Sequence, residues 1–74
     1  MTIGEKIIHL RIANDISQEK LAKMLSVTRQ SVSKWESDDA LPQIDNVIEL
    51  CKIFKVTADE LLNRKIILHK NAKV

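Results

Sequence analysis

Apolar residues recur at helical spacing along most of the chain, and polar residues suited to helix capping stand between the runs. The first run predicts a helix from residue 2 to about residue 13. Thr2 and Glu5 have the spacing of a capping box, in which each side chain satisfies a free amide group at the start of the helix. The apolar stripe of this predicted helix consists of Ile3, Ile7 and Leu10.

Two short helices are predicted next, very close together in the sequence. Ser17 is a good N-cap for the second helix, and Ser26 ends its apolar run. Thr28 caps a third helix that continues to about Glu36. Only about three residues separate the two helices, so the chain must turn sharply between them. The apolar side of the second helix consists of Leu21, Ala22 and Leu25.

The second half of the chain predicts two more helices and ends in a basic, apolar tail. The loop at residues 37–42 leads to Pro42, which stands before or in the first turn of a fourth helix. Thr57 and Glu60 form a second capping box, which opens a fifth helix through Leu62. The pattern therefore predicts an all-α domain at residues 1–63 and a tail at residues 64–74. The buried stripe expected for the fourth helix is Val47, Leu50, Cys51 and Phe54.

Composition supports this division and excludes several protein classes. A chain of 74 residues holds one domain, and its single glycine and single proline argue against a β-sandwich. Cys51 is the only cysteine, so no internal disulfide forms, which favours the reducing cytoplasm. No apolar run reaches the ~20 residues of a membrane span.

Charge is unevenly distributed although the chain as a whole carries only +2. Residues 1–36 carry +2, residues 37–63 carry −4 and residues 64–74 carry +4. A basic N-terminal part beside an acidic central part favours binding of a polyanion on one face of the domain. It disfavours non-specific binding over the whole surface.

The third predicted helix has two chemically different sides. At about 100° per residue, Val32, Trp35 and Glu36 fall on one side, with Thr28 near them. The opposite side is polar and contains no acid. An α-helix fits the DNA major groove, where Arg can bind a guanine edge and Gln an adenine edge. A merely solvated helix face is the alternative, and the short, closely spaced capped helices favour DNA reading. The polar side consists of Arg29, Gln30, Ser33, Lys34 and Ser37.

Other chemistry finds little support. His9 and His69 show no metal-ligand spacing, and Cys51 on an apolar stripe is expected to be a small core residue. Asp38 and Asp39 are adjacent loop residues without a partner base, and no Gly-rich phosphate loop is present. The sequence thus predicts no enzyme, no metal, no cofactor and no small-molecule ligand.

The chain also resembles a known family. The stretch QEKLAKMLSVTRQSVSKWES, the following LP, and an ending with Leu50, Phe54, Val56, Thr57, Asp59, Glu60, Leu61 and Leu62 are similar to the XRE family of helix-turn-helix regulators, the phage repressor and Cro type. The resemblance covers residues 2 to about 63. It implies a five-helix, lambda-repressor-like bundle that binds operator DNA, usually as a two-fold homodimer.

The resemblance also implies roles for individual residues. Gln18 matches a position that contacts phosphate, and Arg11 with Glu36 matches a pair that bridges the first and third helices. A solvent-exposed ion pair of little consequence is the alternative for that bridge. Ser26 stands where the family often has Gly or Asn, and Asp38 stands where it often has Gly, so positive φ is expected at both. The residues that match groove-facing positions are Thr28, Arg29, Gln30, Ser33 and Lys34.

Two function classes remain open at this point. The first is a cytoplasmic, sequence-specific transcriptional repressor that binds double-stranded DNA. The second is a protein-interaction module of the same fold, such as an antitoxin or a coactivator, because fold does not fix function. The acid-free side of the third helix favours the first class.

Two expectations concern apolar residues. Trp35 is expected to be largely buried against the first helix and the 37–42 loop, with Leu41 nearby. Ile8 and Ile12 lie on the wrong side of the first helix, where they form an apolar stripe. The tail residues Ile66, Ile67 and Leu68 are expected either to cover that stripe within one chain, to build a dimer contact, or to fray.

Overall fold

Five helices account for all regular secondary structure in the part of the chain that the structure, a computed structural model, describes, which is residues 1–62. The predicted all-α architecture is confirmed, whereas the expectations for the tail at residues 64–74 lie outside the described residues. The helices are α1 (Ile3–Ala13), α2 (Gln18–Leu25), α3 (Arg29–Glu36), α4 (Ile44–Phe54) and α5 (Ala58–Leu61).

Side-chain caps fix the starts of four helices. In the capping box of α1, the Glu5 N–H donates to Thr2 Oγ1 at 3.1 Å and the Thr2 N–H donates to Glu5 Oε1 at 2.9 Å. Thr57 and Glu60 form the same reciprocal pair at α5. Ser17 and Thr28 cap α2 and α3, as expected. Helix α4 has no side-chain cap and begins at Ile44, after Pro42.

The core lies where α2 and α3 pack on each other, with α1 against α3 and α5, and α4 against α2 and α5. Trp35 is buried, as expected, and Leu41 is exposed. Cys51 is only half-buried at the edge of the core, because its position on α4 turns partly toward solvent. Ile12 is exposed and Ile8 half-buried. Among residues 1–62, the core cluster consists of Ile7, Leu21, Ala22, Leu25, Val32, Trp35, Val47, Leu50, Phe54 and Leu61.

Within residues 1–62, four residues other than glycine adopt a left-handed backbone conformation. Ser26 has a φ of 58° and Asp38 a φ of 64°, so both expected positive-φ positions are confirmed. Asp15, in the turn between α1 and α2, and Lys55, which ends α4, also have positive φ. A left-handed residue ends a helix abruptly, which keeps the connections between these helices short.

Helices α1 and α3 approach closely at Gly4, the only glycine of the chain. A Cβ atom at this position would lie 2.5 Å from the carbonyl oxygen of Trp35 and 2.7 Å from that of Glu36. The carboxylate of Asp38 completes the contact, because it accepts the Gly4 N–H at 3.0 Å and the Thr2 hydroxyl at 2.7 Å. The end of α3 is therefore held directly on the first turn of α1.

Replacing this glycine tests that contact. Gly4→Ala is expected to lower the free energy of unfolding by about 1–3 kcal/mol, because backbone atoms of α3 must move to admit the methyl group. At an open helix position the same change would stabilise by roughly 1 kcal/mol. Urea unfolding measures the difference, with His9→Ala at an exposed position of α1 as the control. A stabilised Gly4→Ala protein would contradict the close approach.

Candidate nucleic-acid interface

The unit formed by α2, α3 and the turn between them places a short helix at the molecular surface. The Val27 N–H donates to the carbonyl oxygen of Ala22 at 2.9 Å, which closes α2 beside the left-handed Ser26. Thr28 then caps α3 through the Ser31 N–H at 3.1 Å. Three residues thus suffice to connect two packed helices, which is typical of a helix-turn-helix unit.

Helix α3 separates its side chains as the sequence predicts. Val32, Trp35 and Glu36 are buried, and the opposite side is exposed. The exposed side chains offer hydrogen-bond donors with few acceptors, and the first turn of the helix contains no acid. Thr28 is exposed as well, but its hydroxyl is occupied by the cap and by Ser31 Oγ at 3.0 Å. The exposed predicted residues of the helix itself are Arg29, Gln30, Ser33 and Lys34.

A buried ion pair attaches α3 to α1. Arg11 Nε donates to Glu36 Oε2 at 2.7 Å and Arg11 Nη2 donates to Glu36 Oε1 at 3.1 Å. The two side chains are only 16% and 5% exposed, so the pair is not a surface bridge. Arg11 Nη1 also donates to the carbonyl oxygen of Ile16 at 3.1 Å, which holds the α1–α2 turn in place. The predicted partnership is present, and it joins more elements than the two helices expected.

Gln18 connects the ion pair to the exposed side of α3. Its Nε2 donates to Glu36 Oε1 at 2.8 Å, and its Oε1 accepts from Arg29 Nη1 at 3.2 Å. The Glu36 carboxylate can only accept, so the amide oxygen of Gln18 must point toward Arg29. A continuous hydrogen-bonded chain therefore runs from Arg11 through Glu36 and Gln18 to Arg29.

This bridging role of Gln18 was missed by sequence reasoning, which expected only a phosphate contact. The available signal was weak: Gln18 and Arg29 each occupy the first position of a short helix, and the two helices are linked by three residues. Sequence spacing does not show that the first turns of two adjacent helices meet. Packing of α2 on α3 decides this.

Comparison with protein families decides the classification. The model of a family described as "Helix-turn-helix" matches residues 7–61, which is most of the chain. The chain belongs to this helix-turn-helix family. Its membership confirms the resemblance to XRE-type regulators that the sequence motifs indicate.

Relatives of this helix-turn-helix chain are named as regulators of transcription. It is 41% identical over 63 residues to the HTH-type transcriptional activator BcrR of Enterococcus faecalis, covering 85% of this chain and 31% of BcrR. It is 36% identical over 62 residues to the HTH-type transcriptional regulator DicA of Escherichia coli, covering 84% of this chain and 46% of DicA. The chain thus spans less than half the length of both relatives.

A solved structure shows the same fold in a protein bound to DNA. The crystal structure of the P22 c2 repressor in complex with a synthetic operator superposes with a TM-score of 0.81 at 31% identity, covering 88% of this chain and 98% of that one. The likeness confirms a five-helix, repressor-type fold for this helix-turn-helix chain.

Other candidate chemistry in residues 1–62 is sparse. No group of three His, Cys, Asp or Glu side chains there could hold a metal ion. In the same residues, no helix has both the length and the hydropathy needed to cross a bilayer. Burial, and secondly the Glu60 carboxylate, raise the pKa of the Cys51 thiol above its ordinary value, which disfavours the reactive thiolate.

The buried ion pair leads to a prediction about stability. Arg11→Met should destabilise by up to about 3–5 kcal/mol, because it removes the opposite charge from the buried Glu36 carboxylate and leaves it the Gln18 amide. Glu36→Leu should cost less, because the Arg11 side chain is 16% exposed and keeps its bond to the Ile16 carbonyl. The double variant should lose much less than the sum of the two, since no unpaired charge remains. Urea unfolding of all four proteins gives the coupling energy.

The exposed pair Glu49–Lys52, at 3.5 Å, serves as the control for that cycle. Glu49→Ala should change stability by less than about 0.5 kcal/mol. Strictly additive losses at Arg11 and Glu36 would show that the buried pair contributes no more than the exposed one.

Proposed function

We propose that this chain is a sequence-specific DNA-binding regulator of transcription that inserts α3 into the major groove of double-stranded DNA. The observation that carries the proposal is the exposed side of α3, which contains no acidic residue. The opposite side of the same helix is buried and packs against the rest of the domain. A solvated helix face needs neither that composition nor a hydrogen-bonded link to the scaffold. The repressor–operator structure of a relative supports the same assignment.

Arg29 and Gln30 are proposed to read bases, because they occupy the amino-terminal end of α3, the end that enters the groove in helix-turn-helix proteins. An Arg side chain can donate twice to the edge of a guanine, and a Gln side chain can pair with the edge of an adenine. Gln18 holds one Nη atom of Arg29, which leaves the other N–H groups of the guanidinium to address a base. This hydrogen bond already restricts the Arg29 side chain, so less conformational entropy is lost when Arg29 binds a base.

Lys34 and Gln18 are proposed to bind phosphate. The ammonium group of Lys34 is a flexible point charge, suited to the backbone more than to a base edge. The amide nitrogen of Gln18 carries two N–H donors, and Glu36 takes one of them at 2.8 Å. The other can donate to a phosphate oxygen while Gln18 still holds Arg29. Thr28 and Ser33 are assigned to the same interface, Ser33 as a short hydroxyl donor and Thr28 as the cap that positions the start of α3.

The proposal extends to assembly, location and the sign of regulation. A homodimer matches a palindromic operator, because the two-fold axis of the protein then coincides with that of the DNA. The compartment is the cytoplasm, where the DNA of a bacterium or phage is read. Repression is favoured over activation, because a protein that only occupies an operator can already block transcription. One relative is named an activator and others are named repressors.

Selection of bound sites from random duplex DNA tests the function. The expected result is a recurrent half-site with a regular spacing between copies. Affinity for the selected site should fall steeply with salt, because binding releases counterions from the phosphates. The alternative, a protein-interaction module of the same fold, would be supported by a different result. In that case no DNA sequence is enriched, and the affinity for DNA is weak and independent of salt concentration.

Arg29→Ala tests the reading residue. It should lose roughly 1–3 kcal/mol of binding free energy on the selected site and relax the preference at one base position. Lys34→Ala should weaken binding to all sequences alike. It should also reduce the slope of log affinity against log salt concentration by about one, the value for one lost phosphate contact. Fluorescence anisotropy across a panel of site variants separates the two effects.

Lys55→Asn provides a control for charge in that panel, because it removes one positive charge at the end of α4 and Asn tolerates the left-handed backbone there. On a duplex that holds a single half-site, it should leave affinity and base preference nearly unchanged. If Arg29→Ala retains the parent affinity at every base, the assignment of the reading side is wrong.

A further inference from the structure

A recess lies beside the turn between α1 and α2, and none of the residues assigned to DNA lines it. Its volume is about 310 Å³, and it is open to solvent. This volume is at the lower end of the range for ligand sites, so the recess suits a small molecule. The lining residues of this recess, called the α1–α2 recess below, are Arg11, Ile12, Asp15, Ile16 and Ser17.

Arg11 contributes a fixed guanidinium with two spare donors to the α1–α2 recess. Three of its five N–H groups are bonded, two to the Glu36 carboxylate and one to the carbonyl oxygen of Ile16. One N–H on Nη1 and one on Nη2 therefore have no partner within residues 1–62. The ion pair already holds the side chain in place, so these donors lose little entropy when they bind a ligand. A carboxylate is the acceptor that a guanidinium favours.

Asp15 contributes the opposite charge to the same recess. Within residues 1–62 its side chain makes no hydrogen bond and takes part in neither of the two ion pairs. Its position is defined by a left-handed backbone with a φ of 59° and by its N–H, which donates to the carbonyl oxygen of Ile12 at 3.0 Å. Arg11 and Asp15 thus line one recess without pairing with each other, which leaves both charges available to a ligand.

The rest of the α1–α2 recess is largely apolar. Ile12 is 63% exposed, and Ile16 is half-buried against the core. A ligand with an apolar group would remove part of this surface from water, which is favourable. The Ser17 hydroxyl oxygen is already occupied, because it caps α2 by accepting the Lys20 N–H at 3.0 Å. The ligand is therefore expected to combine charged groups with an aliphatic part.

Charge complementarity narrows the choice of ligand further. A DNA phosphate is disfavoured, because Asp15 repels it and Arg11 is the one cation among the lining residues. A molecule with a single positive charge is disfavoured by Arg11 for the same reason. A molecule that carries both signs satisfies both residues. Since both charges line one small recess, the short spacing between the two charged groups of an α-amino acid suffices to reach them.

We propose that the α1–α2 recess binds a small zwitterion, an α-amino acid with an aliphatic side chain. The ligand carboxylate accepts from the two spare N–H groups of Arg11, and the ligand ammonium group faces Asp15. The aliphatic side chain covers Ile12 and Ile16. This site goes beyond the proposed function, and binding at it requires no DNA. A negative result therefore leaves the DNA-binding proposal unchanged.

Titration of the full chain with L-leucine, followed by NMR, tests the site. The amide signals of residues 15–17 should shift and saturate with a dissociation constant of about 0.1–5 mM, because an open recess offers few contacts. Glycine should bind at least about fivefold more weakly, since it has no apolar group to cover the isoleucines. The absence of a saturable shift up to about 50 mM leucine overturns the site.

Analogues of leucine separate the contributions of its two charges. The acid 4-methylpentanoate lacks the ammonium group, and the amine 3-methylbutylamine lacks the carboxylate. Each should bind at least about fivefold more weakly than leucine, because one charged contact is lost. Inorganic phosphate at the same concentration should not displace leucine. If phosphate does displace it, the recess is a simple anion site and the zwitterion proposal fails.

Asp15→Asn tests the contact with the ammonium group, and Asn tolerates the left-handed backbone at this position. The variant should bind leucine at least about fivefold more weakly. It should bind 4-methylpentanoate no less tightly than the parent does, because that acid has no ammonium group. The matched control is Asp45→Asn, at an exposed position of α4, which should bind both ligands as the parent does. Equal weakening of both ligands by Asp15→Asn would overturn the role assigned to this carboxylate.

Discussion

The carboxylate of Glu36 is almost completely withdrawn from water, and the placement of three helices depends on how it is satisfied. A buried charge is tolerated only with partners of good geometry. Here α3 supplies the carboxylate, α1 supplies the two-pronged guanidinium of Arg11, and α2 supplies the amide of Gln18. Apolar burial favours compaction without direction, whereas these bonds specify distance and angle. The orientation of α3 is therefore held more narrowly than the core alone would hold it.

The same hydrogen bonds link the interior to the surface proposed to read DNA. Gln18 uses one end of its amide on Glu36 and the other on Arg29, so the guanidinium of Arg29 is tied to a buried anchor. Preorganisation of this kind reduces the entropy lost when a long side chain is fixed on a base. Side chains farther along α3, such as Lys34, have no such anchor among the bonds described, which fits a proposed role at flexible phosphate contacts.

The close contact between α1 and α3 is the second constraint on this small domain. Gly4 lets the end of α3 touch the first turn of α1, and the Asp38 carboxylate fastens the two together by accepting the Gly4 N–H. Helix α4, in contrast, carries the exposed acidic residues Asp45 and Glu49. The acid-free side of α3 and the acidic residues of α4 therefore lie on different helices of the same core.

Sequence by itself determined the features that depend on near neighbours. The capping boxes, the extents of the helices, and the buried and exposed sides of α3 follow from spacings of a few residues, whereas the positive φ of Ser26 and Asp38 came from the family resemblance. The Arg11–Glu36 pair came from a family resemblance, and only the structure shows it buried. Tertiary structure alone decided the need for glycine at Gly4, whose contact with Asp38 spans 34 residues. It also decided the bridge made by Gln18 and the exposure of Leu41. The physical reason is that helix propensity and capping act within one or two turns, whereas close approach and burial depend on which helices meet.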